Sequence, residues 1–207
     1  MEGQTGIEGD EMDNVRVDIT PVTQLTEDQI KELGDLLAAG YDKLWQGDGN
    51  YRNAILGNAT QVLRIYDGDA LAAGVTIDNS RISAIAVGPH FQGRGLGVKL
   101  FKEASKAHPD IWITVGVDPK SEGMIATLTS KKINFMPVED KNKIEDLFRK
   151  TNQGREHYQV ETESTEFPFL SQRLALKGIN QNSFIAYARA GSTHGSVYHQ
   201  ILFQNQT

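Results

Sequence analysis

The chain has no cysteine among its 207 residues. Disulfides, thiolate metal centres and a cysteine nucleophile are excluded together. Its five histidines show no ligand spacing such as H-E-x-x-H, so no metal site is expected. It also lacks any apolar run approaching the roughly 18 residues that a membrane-spanning helix needs. With only six prolines, it contains no Pro-rich stretch that would serve as a linker between domains.

Positive charge is in deficit, with 21 Lys and Arg against 27 Asp and Glu and a formal net charge of −6. Much of that imbalance lies in the opening "MEGQTGIEGDEMD", which carries Glu2, Glu8, Asp10, Glu11 and Asp13 and no basic residue. Residues 1–14 read as a disordered acidic tail. With no apolar segment of the kind a secretory signal carries, the expected compartment is the cytoplasm. Removing the tail's five carboxylates from the net charge leaves −1 for the rest, so neither nucleic acid nor membrane is an indicated partner. Asn58-Ala59-Thr60 fits a glycosylation sequon that, in such a compartment, carries no meaning.

The hydrophobic pattern supplies an ordered set of elements. Val15 to Thr23 alternates as a strand. A helix follows, with Thr26 as N-cap, Gln29 completing a capping box and Gly40 as the stop. "QVLRIYDGDALAAGVTID" reads as a hairpin turning at Asp67-Gly68, Arg81 to Val87 as a central strand, and Gly97 to Ala107 as a helix closed by His108-Pro109. Ile111 to Val117 is a second buried strand, Ser121 to about Lys132 a helix and Lys141 to Lys150 another. "FPFLSQRLALKG" is a possible helix, and "SFIAYARAGSTHGSVYHQILF" reads as two strands around Gly191 to Gly195. The order predicts a mixed α/β sheet with a strand-helix-strand crossover at its centre, in one domain over 15–207.

Between the central strand and its helix lies "PHFQGRGLG", residues 89 to 97. A strand running through a glycine-rich turn into a helix aims several free backbone N–H groups at one point, backed by the helix dipole, and so makes a phosphate site. It is not a dinucleotide fingerprint, because from Gly93 and Gly95 the last required glycine falls on Val98. It is not a nucleotide-hydrolysing P-loop either. Gly88 to Gly93 has the glycine spacing, but Arg94-Gly95 stands where Lys and Ser or Thr are needed.

The segment resembles the acetyl-CoA motif of the GNAT superfamily of N-acetyltransferases, V-x-P-x-x followed by [Q/R]-x-x-G-x-[G/A]. Here these are Val87-Gly88-Pro89-His90-Phe91 and Gln92-Gly93-Arg94-Gly95-Leu96-Gly97, a match at every defined position. Element order extends the likeness over about residues 15 to 138. The resemblance implies a GNAT-like fold with splayed central strands and acetyl-CoA as co-substrate. Backbone N–H groups of Gln92, Gly93, Arg94, Gly95, Leu96, Gly97 and Val98 would hold the pyrophosphate. Ile85, Ala86 and Val87 would border the pantetheine, with the Val87 N–H polarising the thioester carbonyl. The side chains of Arg94 and Lys99 are either further phosphate partners or ordinary surface charge.

The catalytic positions depart from the family pattern. Where relatives carry Glu or His on the central strand, this chain has Arg81 and Ser83, placed by alternation on the face of Ile85 and Val87. Arginine is no base at neutral pH, so Ser83, as holder of a water, is the remaining candidate there. The frequent acid, a Tyr within N-x-x-A-x-x-L-Y-x-K-x-G-F, is replaced by Ser130; Ala126, Lys132 and Phe135 match that pattern. His90 belongs to the phosphate loop; His157, His194 and His199 are other candidate bases, and His194 and Tyr198 fall in the terminal hairpin that, in this fold, borders the acceptor site.

Tyr41, Trp45 and Tyr51 lie where relatives build the acceptor wall and are the candidate substrate contacts. After Phe135 an insertion over about 139–182 precedes the C-terminal hairpin; it reads as a solvated helix or, alternatively, as a lid over the acceptor. The expected activity is acetyl transfer to a primary amine of a small molecule or protein, by direct attack in a ternary complex. The alternative is a CoA-binding or protein-interaction module without catalysis. Oligomeric state is not fixed by the sequence, a homodimer being open.

Overall fold

The computed structural model describes residues 15–40, 58–116, 121–152, 158–159, 184–188 and 197–206. Among the described residues nine strands form one sheet in the order β1-β2-β3-β4-β5-β9-β8-β7, with β6 also paired to β9. The strands are β1 (Val15–Pro21), β2 (Gln61–Asp67), β3 (Ala70–Asp78), β4 (Arg81–Val87), β5 (Trp112–Gly116), β6 (Phe135–Pro137), β7 (Tyr158–Gln159), β8 (Phe184–Ala188) and β9 (Val197–Asn205). The helices are α1 (Glu27–Gly40), α2 (Leu96–Ala107), α3 (Glu122–Leu128) and α4 (Lys141–Asn152). Among the described residues β4 and β5, the strands joined through α2, are the one parallel pair; the other pairs are antiparallel.

Local chemistry sets these boundaries. At the start of α1 the capping box closes in both directions: the Thr26 N–H donates to Gln29 Oε1 (3.0 Å) and the Gln29 N–H to Thr26 Oγ1 (3.3 Å). Gly68 takes φ +60° in the β2–β3 turn, the left-handed region expected of it. Asp140 caps α4 through Oδ1, which accepts from the N–H groups of Asn142 and Lys143.

The helix expected to reach Lys132 stops at Leu128. There the hydroxyls of Thr127 and Thr129 donate to the carbonyls of Gly123 and Ile125, side-chain bonds of a kind that weaken a helix. The sequence reading did not find β6, a strand of three residues.

The sheet carries a core on each face. One is built from Leu63, Ile65, Val75 and Ile77 of the sheet with Leu96, Leu100, Phe101 and Ala104 of α2 and Ile125 and Leu128 of α3. On the other face, α1 sets Leu33 and Leu37 against Val62, Tyr66, Ala84 and Ala86. Further along that face Ile144 of α4 packs on Trp112, Val138 and Leu202. With Ile144 fully buried, α4 is docked on the sheet rather than solvated all round.

Two bulges interrupt the ladders next to the centre. Between β2 and β3 the register passes from Tyr66↔Leu71 to Ile65↔Ala73, leaving Ala72 as the extra residue. Between β3 and β4 it passes from Ile77↔Ile82 to Thr76↔Ala84, leaving Ser83 as the extra residue. The second bulge corrects the alternation expected for β4. Ile82, Ile85 and Val87 face the α2 core while Ala84 and Ala86 face α1, so Arg81 falls on the α1 face, opposite Ile85 and Val87. Its position over the Trp112 ring, which belongs to the α4 cluster, agrees.

Candidate functional site

The parallel ladder between β4 and β5 is short. Among the described residues it joins only Arg81 to Trp112 and Ile82 to Ile113, preceded by a bond from the Trp112 N–H to the Ser80 carbonyl (2.9 Å). Beyond Ile82 the strands part, although β4 runs on to Val87 and β5 to Gly116.

The direction of the open backbone groups on β4 follows from the other ladder. The Gly88 N–H donates to the Ala72 carbonyl (2.8 Å), which continues the β3 register. Peptide groups alternate sides along a strand. Those of Ala86 and Ala84 therefore turn to β3, and those of Val87 and Ile85 turn into the gap. The Val87 carbonyl accepts a long bond from Gln92 Nε2 (3.4 Å). Ala86 stands apart from the other two expected pantetheine neighbours: its backbone is directed to β3 and its side chain lies under α1.

At the mouth of the gap, a 3-10 turn at Pro89–Phe91 leads into the glycine loop. Gly88 is closely packed there: a Cβ would come within 3.1 Å of the Phe91 ring and 3.3 Å of the Ala72 carbonyl, so a larger residue needs both to give way. Gly93 and Gly95 adopt φ +79° and +77°, where other residues are strained. Gly97 differs, since its φ is ordinary and a Cβ would meet nothing within 4 Å. No contact among the described residues demands glycine at this position; its absent side chain leaves open space among them beside the first turn of α2.

Gly95 is the N-cap of α2 and no side chain caps the helix. The leading N–H groups of α2 thus point outward at its positive end. Leu96 is buried and anchors the turn. Arg94 does not extend toward that helix end: its NH1 pairs with Asp67 Oδ2 at 2.6 Å, and its guanidinium lies 5.8 Å from the Phe91 ring centre. This ties the loop to the β2–β3 turn, a partnership between residues 27 apart that no local pattern marks.

Of the expected catalytic residues, Ser83 is exposed although it belongs to a central strand, because the bulge lifts it from the ladder. Its hydroxyl shares a 2.8 Å hydrogen bond with Thr76 Oγ1 and lies 3.3 Å from the Thr76 carbonyl. Ser130 lies just past α3, with its N–H bonded to the Thr127 carbonyl (3.2 Å). Its Oγ is buried and has no hydrogen-bond partner among the described residues.

Tyr41, Trp45 and Tyr51, the acidic tail, His157, His194 and most of the 139–182 insertion lie outside the described residues. Within that insertion α4 and β7 are described, and β7 adds to the sheet through β8. His90 lies beside the mouth of the gap, lining a cavity of about 280 Å³ with Glu32, Leu36, Ala39, Leu71 and Phe91. His108 is occupied at the far end of α2, where its Nε2 lies 2.7 Å from Gln61 Oε1.

Sequence reasoning missed a cluster near the opposite edge of the sheet. Arg64, 1% exposed in mid-strand, pairs with Asp18 Oδ2 at 2.6 Å and donates to Thr20 Oγ1 at 3.1 Å. Arg16 stacks over Tyr66 at 4.5 Å. Burial pushes the Tyr66 phenol above its ordinary pKa, against the pull of the Arg64 charge. Among the described residues, no group of three or more His, Asp or Glu is placed to hold a metal, and no helix is long and apolar enough to cross a membrane.

No family model and no curated protein matches the chain. Solved structures do. An acyl-CoA N-acyltransferase from Pseudomonas aeruginosa superposes with a TM-score of 0.51 at 9% identity, over 93% of this chain and 99% of that one. YjaB from Escherichia coli, in its apo form, gives 0.48 at 11% identity over 92% and 97%. A Bacillus subtilis acetyltransferase in complex with CoA gives 0.47 at 16% identity over 93% and 99%. The chain has the GNAT acyl-CoA N-acyltransferase fold.

Proposed function

We propose, proceeding from that fold, that the protein is an acetyl-CoA-dependent N-acetyltransferase acting on a primary amine by direct attack in a ternary complex. The observation that carries this reading is the early end of the β4–β5 ladder, with an uncapped, glycine-lined helix N-terminus at the mouth of the gap. The residues present fit the group. Open space at Gly97 admits a phosphate against the backbone, and the peptide groups of Ile85 and Val87 offer an extended chain a strand edge.

Bound acetyl-CoA supplies an activated acyl carbon and a thiolate leaving group. The protein's own residues do the rest. N–H groups from Gln92 to Val98 hold the pyrophosphate. An N–H group directed into the gap, at Val87 or one step deeper at Ile85, stabilises negative charge on the carbonyl oxygen in the transition state. Ser130 Oγ, buried without a partner among the described residues, donates to the departing sulfur. Ser83, exposed at the bulge, holds the acceptor amine or a water that takes its proton. Tyr41, Trp45 and Tyr51 are proposed to wall the acceptor side.

A second reading, a CoA-binding or interaction module without catalysis, is favoured by Arg81 and Ser130 at the two positions where relatives carry a base and an acid. Acceptor-dependent thiol release separates the two, and a chain without cysteine contributes no thiol background. Release with any member of a primary-amine panel supports the transferase. Tight CoA binding with no release across the panel supports the module.

A further inference from the structure

On the α1 face, among the described residues, α1 packs over β2 to β4 and α4 over β5 and β9. Between them lies the closed end of the β4–β5 gap, where Ser83 is exposed and Arg81 half-buried. The Arg81 guanidinium lies 5.5 Å from the centre of the Trp112 ring, itself only 1% exposed. Its Nε is buried with no acceptor, and among the described residues the side chain makes no hydrogen bond or ion pair. Asp78 is its cross-strand neighbour, and the Asp78 Oδ1 accepts from Asn79 Nδ2 at 3.1 Å. A positive charge is thus held against an aromatic plate with no ion-pair partner among the described residues.

We infer that Arg81 is a specificity residue that anchors a carboxylate of the acceptor, making the substrate a small amino carboxylic acid. The inference rests on the transferase reading above. An extended ligand entering from the glycine loop along Val87 and Ile85 places its reactive end toward the vertex of the gap, where Ser83 and Arg81 lie. Two residues along a strand span roughly 6–7 Å, less across a bulge. An amine at Ser83 and an anion at Arg81 therefore suit an acceptor with a short spacer between the two groups. Arginine matches a carboxylate through paired donors, and a single guanidinium balances a single negative charge. An acceptor carrying a second ammonium group in place of the carboxylate would meet a like charge at that point.

The test uses the full chain with acetyl-CoA and matched acceptors: glycine, β-alanine and L-phenylalanine against their amides. The amides have the more acidic ammonium groups and hence more free amine at neutral pH, so preference for the acids runs against intrinsic reactivity. The expected result is a kcat/KM at least tenfold higher for the acids. Arg81→Gln should raise KM for the acids by about 10- to 100-fold and leave KM for the amides and the Kd for acetyl-CoA unchanged; Arg81→Lys, which retains charge, should recover part of the loss.

Calorimetry of the same acids with CoA-loaded protein reads the preference without turnover, and covers the case in which Arg81→Gln fails to fold. Equal use of acids and amides, equal binding of both, or an Arg81→Gln effect common to both would overturn the anchor while leaving the transferase reading intact. Absence of acetyl-CoA binding to the wild-type chain would remove that reading and the anchor together.

Discussion

Single residues decide whether the loop holds a phosphate, and Gly97 is the cleanest place to test it. Gly95 has φ +77°, so any substitution there strains the backbone as well as filling the site. Gly97 has neither a positive φ nor a neighbour within 4 Å of an added Cβ. Gly97→Glu should therefore fold normally and lose acetyl-CoA binding by at least 100-fold, from bulk and like charge together; calorimetry alongside a thermal melt checks both halves. Unchanged affinity in a folded variant would remove the pyrophosphate from this helix end.

At Tyr66 burial holds the phenol pKa above its ordinary 10.0. The neutral form is then favoured more in the folded state than in the unfolded one. The stability this contributes is complete below pH 10 and is lost as pH rises through the unfolded and then the folded pKa. Urea unfolding at about pH 8 and about pH 10.5 should show a larger loss for wild type than for Tyr66→Phe, and equal losses would contradict the assignment.

At the scale of elements, legibility in the sequence followed locality. The Thr26/Gln29 box and the Asp67-Gly68 turn are written in a few adjacent residues and appear where expected. The glycine loop was equally legible, because positive φ and close approach permit few side chains. The bulge at Ser83 carries no local mark; it arises from how β3 and β4 pair, and it moved Arg81 to the opposite face from the one alternation gives. The Arg94–Asp67 and Arg64–Asp18 pairs were invisible for the same reason, since each joins residues distant in the chain.

The periodicity of α4 was read correctly as helical, yet its docking was not, because lysines at 141 and 143 mask an apolar stripe ending in Ile144 and Leu147. Ile144 is fully buried against Trp112 and Leu202. Ile144→Ala should cost about 2–5 kcal/mol in urea unfolding. A loss under about 1 kcal/mol would mean that α4 contributes little to the fold.

Across the whole molecule, the sheet topology explains why a loop between β4 and α2 can serve chemistry at the centre. The parallel crossover brings two strands side by side, and parting them after Ile82↔Ile113 opens the sheet between a core held by α2 and α3 and a second face held by α1 and α4. In the proposed function, co-substrate backbone contacts, carbonyl polarisation and acceptor approach all fall on one strand, β4. That convergence is the central claim, and direct titration tests it most plainly. Calorimetry of the purified full chain with acetyl-CoA, beside ATP and NAD, should give a micromolar Kd for acetyl-CoA at least tenfold tighter than for either nucleotide. Binding of ATP as tightly as acetyl-CoA, or no heat with acetyl-CoA at all, would contradict it, leaving the parted strands and the glycine loop without the ligand assigned to them.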